Sequence, residues 1–252
     1  TPALSSAASD VYKRQVVKSE GKAKYALGSV LGHVLLHQTI NGNEAILQME
    51  QAGDYPDIIV GCTGGGSNLA GLMFPFLGQQ LRGGQKIDII GCEPLSCPSF
   101  TKGTYAYDHG DMARMTPLIK MHTLGSDFLP PANHSGGLRY HGMSYHLSHL
   151  YDLGLMRAKA YGQKDCFEAG VIFGKQEGII PAPEGNHAVK GAIDAALECK
   201  EKGESKTILF NLCGHGHFDM TAYDDYFNGR LADDFYDENS VNQSLSKLPE
   251  IA

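Results

Sequence analysis

No Cys-x-x-Cys pair occurs in the chain, although it carries six cysteines. Spread singly at 62, 92, 97, 166, 199 and 213, mostly within apolar runs, they read as buried reduced thiols rather than a disulfide or zinc framework. No cluster of five basic residues is present either, and the net charge of −7 gives no basic face for nucleic acid or a membrane surface. An apolar run of 18 residues, which a membrane helix needs, is missing, as is a signal-peptide pattern, so the cytoplasm is the expected compartment. There is no methionine before Met49, and the Ser/Ala-rich opening TPALSSAASDVYKRQ has no periodicity. Residues 1–15 are therefore expected to be non-native, of the kind translated from adaptor sequence, or disordered.

What remains is ordinary for a globular chain of 252 residues, with 42% hydrophobic content. Leu27, Val30, Leu31, Val34 and Leu35 form one helical stripe, and NEAILQMEQAG predicts a second short helix ending at Gly53. DIIVGC, KIDIIGCEP and KTILFNLC read as buried parallel strands. Helices are expected at SNLAGLMFPFLG, bent or ended near Pro75, at KDCFEAGVIFGKQ with Asp165 as N-cap, and at HAVKGAIDAALECKEKG. A last helix should follow GHGHFDM and end near Gly229. Residues from about 95 to 150 read as irregular. The alternation predicts an α/β fold, a parallel sheet flanked by helices. The expected division is a helical segment over 16–56, an α/β domain over 57–232 and a frayed polar tail over 233–252.

Chemistry concentrates in GCTGGGSN. A strand, three glycines and a helix start make an anion cradle, because successive amides converge and the helix adds partial positive charge. Gly64, Gly65 and Gly66 would let the backbone reach phosphate oxygens, and Ser67 and Asn68 could add donors. A P-loop is excluded because no Gly-Lys-Ser/Thr follows. A dinucleotide loop fits poorly: Leu69 stands where glycine or alanine belongs, and Glu93, the candidate ribose acid, comes late. A tight turn without a ligand stays open on the loop alone. KTILFNLC-GHGHFD repeats the design, with Cys213 before the glycine turn. Parallel strands end on one edge, so one loop could hold a phosphate while Cys213 meets an attached ring, a geometry that suits pyridoxal phosphate.

Six stretches in order, GCTGGGSNLAGL, EPLSCPSFTKGTYAYDHGD, TPLIKMHTLGSDFLPP, HSGGLRYHGMS, EGIIPAPEGNHA and FNLCGHGHFDM, resemble the tryptophan synthase β chain. Arg139 makes the chain more similar to the second, tryptophan synthase-like type. The resemblance runs from Tyr25 to about Leu231 and matches the C-terminal portion of that family only. It implies a fold-type II pyridoxal-phosphate enzyme that converts L-serine and indole to L-tryptophan and water. By residue matching, Gly64, Gly65, Gly66, Ser67 and Asn68 would bind the cofactor phosphate, and Cys213 and Gly214 would lie at its ring. Glu184 would stand beside the cofactor as a catalytic carboxylate, its alternative being a solvated loop residue. Backbone carbonyls of Tyr140 and Gly142 would serve a monovalent cation, sodium or potassium. Position 213 departs from the family, which commonly has serine there.

The resemblance also places a Schiff-base lysine, in a His-Lys-Asn-type motif, in an N-terminal segment. No lysine follows a histidine in this sequence. The expected state is a truncated form, inactive alone. The family implies a homodimer, and its common type also pairs with an α chain; for the second type, which this chain resembles, an α partner stays open. Other fold-type II lyases (threonine or serine dehydratases, threonine synthase) and a non-catalytic remnant are the alternatives. His215 and His217 flank Gly216, but zinc needs three or four converging ligands, and no such spacing occurs.

Overall fold

The three apolar runs become neighbouring parallel strands. In a computed structural model that describes residues 15–16, 18–24, 28–233 and 235–250, β1 (Ile58–Cys62) lies between β2 (Asp88–Pro94) and β6 (Ile208–Phe210). A further parallel strand, β5 (Arg157–Tyr161), pairs with the outer side of β2. Every residue of β1 is buried, which is why it reads as an unbroken apolar run. β6 is shorter than its run, yet Asn211 still donates its N–H to the Val60 carbonyl at 3.0 Å. The sequence RAKAY gave no apolar signal for β5. It is an edge strand whose Arg157 forks onto Asp88 at 2.8–3.1 Å and whose Lys159 pairs with Glu198. Segment 1–14 and Leu27 lie outside the described residues.

One face of the sheet is covered by α1 (Gly32–Ala52) and α2 (Ser67–Leu81), which close over Ile59 and Ile89. The two short helices expected before β1 are one, and it starts after Val30, so the apolar stripe is only partly helical. Gly42 in α1 allows close contact: a Cβ there would lie 2.4 Å from the Leu72 carbonyl oxygen. Gly71 answers from α2, where a Cβ would meet the Gln38 carbonyl oxygen at 2.6 Å. α2 also runs through Pro75 instead of stopping there. The end of α1 at Gly53, in the left-handed region at φ 68°, is as expected.

The opposite face packs under α5 (Gln163–Glu177) and α6 (Pro183–Lys202), with Cys166, Ala195 and Cys199 against Ile58, Val60 and Ile90. Asp165 is not the N-cap of α5. Gly162 holds that position, and Asp165 sits in the first turn, facing the positive helix end. α6 begins earlier than its apolar pattern, with Pro183 in its first turn.

The stretch read as irregular contains α3 (Ser99–Lys102), the antiparallel pair β3 (Thr104–His109) and β4 (Leu118–Thr123), and α4 (Tyr145–Asp152). α7 (Met220–Phe227) stops two residues before Gly229. The polar tail is not frayed over its whole length. It carries α8 (Glu238–Leu245), capped by the Asp237 carboxylate and docked through Val241 onto Cys97, Leu124 and Phe128. A cap and one apolar stripe suffice in a segment whose average composition is polar. Among the described residues no helix is long and apolar enough to cross a membrane.

Candidate active site

β1 and β6 deliver their glycine turns to one sheet edge, as parallel pairing requires. Beyond β1, Thr63 donates its N–H to the Cys92 carbonyl at 2.8 Å, and then the backbone leaves the sheet. Among the described residues, the amides of Gly64, Gly65, Gly66, Ser67 and Asn68 find no protein acceptor. α2 starts at Ser67 without an acidic residue in its first turn, so the helix supplies no carboxylate of its own to that end. Among the described residues, the buried side-chain oxygens of Thr63 and Ser144 beside the loop find no partners.

The glycines are enforced by the protein as well as by any ligand. A Cβ on Gly64 would lie 2.7 Å from the Gly137 carbonyl oxygen, and one on Gly65 would lie 2.5 Å from Ser29 Oγ. Gly66 has φ 103°, and a Cβ there would meet Leu147 Cδ1 at 2.5 Å. Asn68 is gripped from the end of β6, where Asn211 Nδ2 donates to its side-chain oxygen at 3.2 Å.

Glu184 lies in the first turn of α6 rather than in a loop. The short 3-10 turn Gly136–Leu138 bridges it to the glycine loop: Gly137 donates its N–H to Glu184 Oε1 at 2.8 Å. The start of α6 is tied to the second glycine turn as well. Ala182 donates its N–H to the Gly214 carbonyl, and a Cβ on Gly185 would stand 3.2 Å from the Cys213 carbonyl oxygen. The glycine loop, Glu184, Cys213 and Gly214 therefore form one connected site.

Cys213 Sγ lies 3.4 Å from Cys62 Sγ, a contact the sequence did not reveal because the two residues belong to distant strand ends. The hydrogen bond from Cys62 pulls the Cys213 thiol below its usual range, while the same bond and burial push Cys62 well above it. Cys213 is half-buried; the other five cysteines are buried. The carbonyls expected for a cation are less open. Tyr140 O accepts the Cys97 thiol at 2.8 Å, and Gly142 bridges to Thr123. His215 and His217 touch each other at an exposed turn, and among the described residues no group of three or more metal-ligating side chains converges.

Glu93 turns inward instead of serving a ribose. Its Oε2 accepts the Phe100 N–H at 2.8 Å, and Oε1 accepts the Thr101 N–H and hydroxyl at 2.9 and 2.7 Å. Complete burial pushes this carboxyl up to about 7 against those donors.

The site fits a phosphorylated ring cofactor. A phosphate needs several donors and no competing carboxylate, which the 64–68 amides and α2 supply. Residues 29–214 match the family model described as pyridoxal-phosphate dependent enzyme. The chain is 58% identical over 218 residues to tryptophan synthase beta chain 2 of Aquifex aeolicus, covering 85% of this chain and 50% of that one. Tryptophan synthase beta chain of Pyrococcus horikoshii is 51% identical over 233 residues, covering 92% and 50%. The chain thus spans about half the length of the curated relatives it matches. Among solved structures, a fungal L-serine ammonia-lyase from Rhizomucor miehei superposes with a TM-score of 0.60 at 14% identity, over 85% of this chain and 64% of that one. O-acetyl serine sulfhydrylase isoform 3 from Entamoeba histolytica gives 0.60 at 14%, over 92% and 57%. At such identities these two structures speak for the fold alone.

Proposed function

Because the chain belongs to the family of pyridoxal-phosphate-dependent enzymes, we propose that it is the cofactor-phosphate-binding portion of a tryptophan synthase β-like enzyme, one that joins L-serine and indole into L-tryptophan and water. The observation that carries this reading is the row of unengaged amides at 64–68, set beside Cys213 and Glu184 at one sheet edge.

Pyridoxal phosphate, when bound, supplies the electron sink for breaking the serine Cβ–O bond and forming the bond to indole. The chain's own residues would do the rest. Amides 64–68 and the N-terminus of α2 hold the phosphate, and the Ser67 hydroxyl adds a donor. Cys213 places its sulfur at the ring edge, a weaker donor than the serine common in the family. Glu184 Oε1 is fixed by the Gly137 amide, which leaves Oε2 to take or give a proton at the substrate. A monovalent cation at the Tyr140 and Gly142 carbonyls would displace the Cys97 thiol from Tyr140.

The family's lysine motif does not occur in this sequence, so the same proposal makes the 252-residue chain inactive alone. Pairing with a second copy, and with an α chain that delivers indole, belongs to this reading too. The test is to titrate the purified chain with pyridoxal phosphate and assay it with indole and serine. Expected are a thermal shift with cofactor and no tryptophan above background, with activity appearing on addition of an N-terminal portion that carries the lysine. Tryptophan formation by the chain alone would refute the inactivity, and absence of any cofactor-induced shift would refute the binding role.

A further inference from the structure

We propose that Cys62 and Cys213 are an oxidative modification site, a dithiol that peroxide converts to a disulfide. The inference rests on thiol geometry and does not depend on the reaction proposed above. Cys62 closes β1, and Cys213 follows β6, the strand paired directly with β1. The sulfurs, 3.4 Å apart, need to approach by only about 1.4 Å. Gly214, at φ 76°, follows Cys213 directly and gives that backbone room to adjust.

The chain carries its own controls. Cys92, Cys97, Cys166 and Cys199 are buried. Burial pushes Cys92 up to about 12 and also raises Cys97 and Cys166. Cys213 combines partial exposure with a thiol drawn toward ionisation by its neighbour, which is the pattern of a reactive cysteine. Cys62, buried and in contact, is placed to resolve what forms on it. Leu138, Ala188 and Phe210 pack around the pair.

The chemistry balances in two steps. The Cys213 thiolate attacks one oxygen of hydrogen peroxide; the O–O bond breaks, and the other oxygen takes a proton and leaves as water. Cys213 is then a sulfenic acid. Cys62 sulfur attacks the Cys213 sulfur, the S–O bond breaks, and the released hydroxide takes the Cys62 proton to leave as a second water. Two thiols are oxidised by two electrons, and one peroxide is reduced to two waters.

The test treats the folded 252-residue chain with limiting hydrogen peroxide, then counts thiols and maps peptides by mass spectrometry. Free thiols should fall from six to four, the mass should drop by about 2 Da, and one cross-linked peptide should join Cys62 to Cys213, reversible by dithiothreitol. In Cys62→Ser, oxidation should stop at Cys213 sulfenic acid, about 16 Da heavier and captured by dimedone. Should that variant fold poorly, the unmodified chain gives a second measurement: iodoacetamide should alkylate Cys213 at least about tenfold faster than the other five. Six thiols surviving peroxide that oxidises a free cysteine peptide would overturn the proposal. So would a disulfide to any other cysteine, or faster alkylation elsewhere.

Discussion

Two helices start at the carboxyl edge of the sheet, one after each of its two central strands, and their first turns are treated in opposite ways. α3, reached from β2, has its start filled by the Glu93 carboxylate, which takes the amides of Phe100 and Thr101. α2, reached from β1, has no acid in its first turn, and among the described residues the amides of 64–68 are left without protein acceptors. The same electrostatic demand is met from inside in one case and left for a ligand in the other. Leaving amides unpaired costs stability, of order 1–3 kcal/mol for a buried group. A loop of three glycines that keeps them unpaired is therefore evidence of a binding role.

Gly66→Ala forces a Cβ onto Leu147 and Met143 at a left-handed position, and should lower stability by about 2–4 kcal/mol in urea unfolding. Glu93→Gln should cost about 1–3 kcal/mol, since its amide nitrogen would face one of the three donors that the carboxylate accepts. Glu93 also sets a pH dependence. A carboxyl raised in the folded state holds its proton there first, so its stabilisation is whole below the ordinary carboxylate range and is lost as pH rises through about 7. The urea midpoint should fall between about pH 5 and pH 8, and Glu93→Gln should flatten that slope.

Ser67→Asp makes the open helix start resemble the closed one. Stability should change by under about 1 kcal/mol, while the thermal shift produced by pyridoxal phosphate or inorganic phosphate disappears. A retained shift would place the anion elsewhere. Arg157→Ala, on the charged edge strand away from either helix start, should cost less than about 1 kcal/mol and leave cofactor binding unchanged.

What was legible in the sequence follows the physics of each element. β1 and β2 could be read because parallel strands buried on both faces are unbroken apolar runs, and β6, although only half-buried at the other edge, keeps an apolar run too. β5 could not, because an edge strand with Arg157 and Lys159 carries the composition of a loop. The hairpin β3–β4 and the docked α8 escaped for a similar reason: their burial falls on a few residues, such as Asp108, Met121 and Val241. Pro75 misled because local rules treat it as a bend or an end, whereas α2 runs on through it. In the site, the glycine loop and Cys213 were readable from strand–glycine–helix order. The Gly137 hold on Glu184, the Cys62–Cys213 contact and the inward turn of Glu93 each join segments or settings that no local pattern encodes.

The strand order has a consequence for how the chain is made. β1 sits in the middle of the sheet, yet its partner on one side is Ile208–Phe210, 150 residues after Ile58. At about 5–20 residues per second of synthesis, β1 waits roughly 8–30 s on the ribosome before β6 emerges. During that interval Ile58, Ile59 and Val60 present a bare, sticky strand edge to whatever passes. Expression of this protein should therefore depend on chaperone supply and translation speed more than its finished stability suggests, and slowing translation downstream of β1 should lower soluble yield.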